Sequence, residues 1–147
     1  MIVVTEISSR RLRDSLFRRL DQDEQALDNL QLMVGEGDWE SVRRQVVKVA
    51  SSAWVAAKEI EETHHVGGVD LARNLPMIRI QNEAEAKESL GSLRFGLQRY
   101  RDAIDQESWF GAVLYLQGII EQGLRFKDFA ADEITADFSN DNQAIGL

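Results

Sequence analysis

The feature that most constrains this chain is a pattern that occurs twice, about seventy residues apart. Residues 35–60 read GEGDWESVRRQVVKVASSAWVAAKEI, and residues 105–126 read DQESWFGAVLYLQGIIEQGLRF. Each stretch holds a short polar turn, then a Trp, then apolar residues three and four apart. That spacing puts the apolar side chains on one face of a helix. Each stretch also follows a segment with the same spacing, so the chain reads as two αα-hairpins, with a possible internal duplication. The predicted fold is an all-α antiparallel four-helix bundle with a long connection between the hairpins.

The helices are expected near residues 8–34, 39–63, 82–104 and 109–131. Ser8 or Ser9 can cap the first, whose seam is Leu16, Leu20, Leu27, Leu30 and Val34, with Asp23 as its one polar interruption. Gly35 and Gly37 end it, and Asp38 caps the second. The second seam is Trp39, Val42, Val46, Val49, Ala53, Ala56 and Ile60. The alternation of three and four is that of a left-handed bundle. Small residues from Ala50 to Ala53 let a neighbouring helix come close. Asn82 and Glu85 form a capping box for the third helix, whose seam is Ala86, Leu90, Leu93, Leu97, Tyr100 and Ile104.

Residues 64–81 (HHVGGVDLARNLPMIRIQ) break the pattern with a Gly pair and the only proline, and a short helix is expected near 70–74. The bundle domain is expected over 1–133, with a flexible acidic tail over 134–147. At 147 residues the chain can bury a substantial core without disulfide or metal, and it has no cysteine. The start, MIVVTEISSRRLRD, lacks the pattern of a secretory signal, and no apolar run is long enough to span a membrane. These features read as a cytoplasmic protein. A net charge of −8 argues against general attraction to nucleic acid or anionic lipid.

The fourth helix carries more apolar residues than one bundle-facing stripe needs. Its seam is Trp109, Ala112, Leu116, Ile119, Gly123 and Phe126, and Phe110, Val113, Leu114, Ile120 and Leu124 lie off it. Gly111 and Gly118 sit seven apart, each costing about 1 kcal/mol relative to Ala in a helix interior. A close neighbour would account for both. The expected function is therefore a non-catalytic protein–protein interaction module, an adaptor or regulatory subunit that self-associates through this helix. Trp109, Phe110 and Leu114 are the candidate anchors.

Two alternatives come from charged clusters. Glu61–Glu62–Thr63–His64–His65 contains Glu-x-x-His twice, and residues three apart share a helix face. Glu61, His64 and His65 are the candidate metal ligands. A di-iron bundle needs Glu-x-x-His on two helices, and both histidines of this chain are used here. Arg10, Arg11, Arg13, Arg18 and Arg19 crowd the first helix, with Arg11 and Arg18 on one side as candidate partner contacts. They could serve a nucleic-acid accessory subunit, or pair with nearby carboxylates or the acidic tail. No standard catalytic motif is present, and no cofactor is expected.

GDWESVRR and the helix after it resemble the histidine-phosphotransfer domains of two-component signalling, themselves four-helix bundles. The stretch matching the phosphoacceptor segment is Val46–Val47–Lys48–Val49–Ala50–Ser51–Ser52. The acceptor position holds Val47, which cannot be phosphorylated, so the resemblance does not carry phosphotransfer to this chain. Tetratricopeptide-type hairpins open their second helix with similar turns.

Overall fold

The computed structural model describes residues 2–65 and 80–127. Four helices are present: α1 (Ile2–Gly35), α2 (Trp39–His64), α3 (Glu83–Asp105) and α4 (Trp109–Lys127). Among the described residues there is no strand, and no helix is long and apolar enough to cross a membrane. The expected short helix near 70–74, the tail over 134–147 and the last turn expected for α4 lie outside the described residues.

Cross-helix contacts fix the topology. The first turn makes α1 and α2 antiparallel. His64 at the end of α2 stacks on Trp109 at the start of α4, and Ala50 lies against Gly123, so these two helices are antiparallel as well. Ser89 of α3 donates a short hydrogen bond to the Gln122 Oε1 of α4. Arg94 of α3 reaches Asp28 of α1, and Arg101 reaches Asp21 and Glu24. Around the bundle the order is therefore α1, α2, α4, α3, with every adjacent pair antiparallel. The end of α2 and the start of α3 fall at opposite ends of the bundle, which explains why the two hairpins need a long connection.

The seams read from the sequence form the core. Leu16, Leu20, Val42, Val46, Ile60, Ala86, Leu93, Ile104, Leu116, Ile119 and Phe126 are all buried. Asp38 accepts the Ser41 N–H at 3.2 Å and caps α2. Asn82 accepts the Glu85 N–H at 2.8 Å and caps α3. The Glu85 carboxylate reaches back one residue beyond the cap, to the Gln81 N–H at 2.8 Å. The start of α1 differs from expectation. The helix begins at Ile2, so Ser8 and Ser9 lie within it and do not cap it. Nothing in Ile2–Ile7 breaks a helix, and extending a formed helix is far easier than starting one.

The two hairpin turns are superimposable in their hydrogen bonding. Glu36, Gly37 and Asp38 donate to the carbonyls of Leu32, Val34 and Met33 at 2.9–3.0 Å. Gln106, Glu107 and Ser108 donate to Asp102, Ile104 and Ala103 at 2.8–3.0 Å, each pair seventy residues further on. The correspondence between the hairpins is thus a shift of seventy along their length, from Leu16 and Ala86 to Ala56 and Phe126.

Within the turns, Gly37 takes φ +72° and its counterpart Glu107 takes φ +56°. The left-handed conformation is unstrained for glycine and costs a side chain about 1 kcal/mol. Glu107 gains only an exposed ion pair with Arg13 at 3.7 Å in return. Glu107→Gly is expected to raise stability by about 0.5–1 kcal/mol, read as a higher denaturant midpoint with an unchanged slope.

Candidate functional site

α4 lies between α2 and α3, and this position sorts its surplus apolar residues. Val113 and Ile120 are buried, and Leu124 is half-buried, lining with Ile120 a shallow groove against Val47, Ala50 and Trp54 of α2. Two flanking helices widen the buried stripe, so most of the surplus belongs to the core. Phe110 and Leu114 remain outside it, 59% and 47% exposed and one helical turn apart. Tyr115 beside them is 39% exposed. Trp109, the third expected anchor, is half-buried and packed on the His64 ring, with centroids 4.4 Å apart and planes 13° from parallel. It closes the end of the bundle and is not a free anchor.

The three glycines of α4 have different surroundings. A Cβ at Gly111 would meet the Ser108 hydroxyl at 2.7 Å, so this glycine makes room for the helix start. A Cβ at Gly123 would fall on Ala50, so this glycine sets the close crossing of α2 and α4. Nothing lies within 4 Å of a Cβ at Gly118. The close neighbour expected at Gly111 and Gly118 is therefore at Gly123, where the small residues of α2 meet it. Gly118 is the one α4 glycine whose missing side chain the described fold does not require.

Two further aromatic residues flank Gly118, and sequence reasoning missed both. The register of Ala50 against Gly123 and His64 against Trp109 puts Trp54 of α2 about level with Ile119. Gly96 against Ile119 puts Phe95 of α3 close to the same level. Trp54 is 39% exposed and Phe95 56%. Each lies beneath a cation, Lys58 at 5.2 Å from the Trp54 ring and Arg99 at 5.0 Å from the Phe95 ring. In sequence both are single apolar residues off a helix seam. Only the placement of α4 between their helices brings both to the level of Gly118.

The charged clusters are placed otherwise. Glu61 pairs with Lys58 at 3.5 Å. His64 lies against Trp109, and burial holds its pKa below the usual imidazole value, favouring the neutral ring. His65 is exposed and takes φ +53° as it ends α2. Among the described residues, no group of three His, Cys, Asp or Glu side chains is arranged to hold a metal. Arg13 is taken up by Asp105 at 3.0 Å, and Arg19 faces Glu59 at 3.6 Å. Arg11 and Arg18 are exposed on α1, away from the α4 surface, and form no ion pair with a described residue. The structure thus brings Phe110 and Leu114 together and separates them from the arginines.

No protein-family model matches the chain, and no match is found among curated proteins or solved structures.

Proposed function

We propose that the protein is a non-catalytic interaction module that self-associates through the outer face of α4. The carrying observation is the pairing of a protruding Phe110 with an open Gly118 two turns along the same face. Two copies related by a two-fold axis through Leu114, with α4 against α4 antiparallel, set Phe110 of each opposite Gly118 of the other. This is the reciprocal contact that an isologous interface requires. Trp54 and Phe95 stand on the helices either side of the receiving glycine. Aromatic residues and Arg, here Phe95 with Arg99 and Trp54, are side chains that interfaces favour. The cost of about 1 kcal/mol for carrying Gly118 in a helix is then offset in the assembly and not in the protomer.

Analytical ultracentrifugation over a concentration series tests this reading. The native chain is expected to sediment as a dimer that dissociates on dilution. Phe110→Glu buries a charge at the centre of the contact and should cost about 2–4 kcal/mol of association, a loss of thirtyfold or more. Gly118→Leu fills the receiving site. It should also abolish the dimer while raising protomer stability by about 0.5–1 kcal/mol through helix propensity. A native chain that remains monomeric at submillimolar concentration would sink the proposal, as would a dimer indifferent to both changes.

A further inference from the structure

Most of the chain's net charge of −8 belongs to its last stretch of sequence. Residues 128–147 hold Asp128, Asp132, Glu133, Asp137 and Asp141 and no basic residue, with Phe129, Ile134 and Phe138 set among them. The bundle has one side of opposite sign. From Ser41 to Lys58, α2 carries Arg43, Arg44, Lys48 and Lys58 and no carboxylate. α4, which packs on it, carries Arg125 and Lys127 against a single carboxylate, Glu121. The ion pairs made by two of these cations are exposed and loose: Lys58 lies 3.5 Å from Glu61, and Arg44 lies 3.8 Å from Glu40. Lys48 is exposed and forms no ion pair with a described residue.

These cations border the shallow groove between α2 and α4. Its volume is about 310 Å³, and no charged residue lines it. Val47, Ile120 and Leu124 supply apolar lining, and Trp54 adds an aromatic wall with Lys58 5.2 Å from its ring. An apolar slot with a basic border suits a segment that carries apolar anchors between acidic side chains. The end of α4 leads to such a segment. Leu124 is three residues before Lys127, so the groove begins within about 5 Å of the last described turn. Residues 128–147 can extend over about 65 Å, many times that distance. We propose that this groove is the docking site for the chain's own acidic segment, residues 128–147. Ile134 and Phe138 are its apolar anchors, and its carboxylates meet Arg44, Lys48 and Lys58. The proposal does not rest on the self-association reading.

Other surfaces within reach are less suited to an acidic segment. An apolar groove at the same end of the bundle lies between α1 and α3, lined by Leu27, Leu30, Val34 and Leu90. Both cations beside it are engaged, Arg94 by Asp28 at 3.1 Å and Lys87 by Glu83 at 3.3 Å. Glu85 and Glu88 on α3 and Glu36 after α1 add negative charge there, which repels further carboxylates. The arginines between residues 10 and 19 lie toward the other end. Arg13 pairs with Asp105 near the start of α4, about 28 Å from Lys127 along that helix. Docking between α2 and α4 covers Trp54, so it also limits what a second copy of the chain can reach on that side of Gly118.

The test uses the absence of cysteine from the chain. Ser139→Cys puts a single nitroxide label beside Phe138 in the full chain. Paramagnetic broadening is then read on that chain's own amides and on the Trp54 indole N–H. In dilute, low-salt samples the broadening is expected to peak at Val47, Ser51, Trp54 and Leu124. Phe138→Asp should reduce it several-fold, as should Lys48→Glu combined with Lys58→Glu, two exposed changes that leave the core intact. About 1 M salt, which shortens the screening length to about 3 Å, should weaken it as well. The same pattern is expected in the Phe110→Glu chain, so a failure of self-association leaves this result standing. Three outcomes would overturn the proposal. One is broadening that peaks at Leu30 and Leu90. Another is broadening that fades evenly from the end of α4 and is unchanged by Phe138→Asp. The third is broadening seen only on an unlabelled chain mixed with a labelled one.

Discussion

Trp39→Ala is expected to cost about 3–5 kcal/mol, while the equivalent change at Trp109 costs about half as much. The two residues occupy matched positions seventy apart, each opening the second helix of its hairpin. A sequence comparison alone would assign them equal weight. Trp39 is 2% exposed and lies at the end of the bundle where Ile80 and Phe126 are also buried. Removing its ring leaves a cavity walled by helix ends that the turn at Gly37 holds in place, so little collapse can relieve the loss. Trp109 is half-buried and rests on His64, so its removal exposes a surface that water can reach. Urea denaturation of the two variants checks this. Equal losses would show that the hairpins are energetically as well as structurally equivalent.

The features legible in the sequence were the local ones. Helix periodicity placed the four seams because a core face repeats every three or four residues regardless of what covers it. The caps at Asp38 and Asn82 were legible because capping depends on residues within one turn. The start of α1 was not, since capping-competent serines also occur within helices and Ile2–Ile7 carries no stop signal. Properties that arise between helices were harder to see. Asp23 stood out as an interruption of its seam, but its opposition to Tyr100 depends on the antiparallel register of α1 and α3. The excess of apolar residues on α4 was visible, but its division was not. Val113 and Ile120 are buried because α4 has a neighbour on each side, and only Phe110 and Leu114, with Tyr115, are left outward. Trp54 and Phe95 acquire meaning only beside Gly118, which is a property of the assembled bundle.

The largest consequence of that assembly for a single small residue is at Gly123. Ala at this position should lower stability by about 1–3 kcal/mol, although Ala is the better helix former by about 1 kcal/mol. The added Cβ would fall on the Ala50 methyl, with the Ala50 Cα at 3.6 Å and the Val46 carbonyl oxygen at 3.9 Å behind it. No flexible side-chain end is available to yield, so α2 and α4 must separate or slide. Separation is costly because these two helices also hold Val46, Val49, Leu116 and Ile120 in the core. Ala50→Gly supplies the missing space from the other side. In the double variant the Gly123→Ala penalty should largely disappear, giving a coupling energy of about 1–2 kcal/mol in a double-mutant cycle. Chemical denaturation of the native chain, both single variants and the double variant measures that coupling. Additive losses would mean that the helices are not in contact at this crossing, and the close approach of α2 and α4 would have to be abandoned. A stabilising Gly123→Ala would contradict it more directly, because helix propensity would then be acting unopposed.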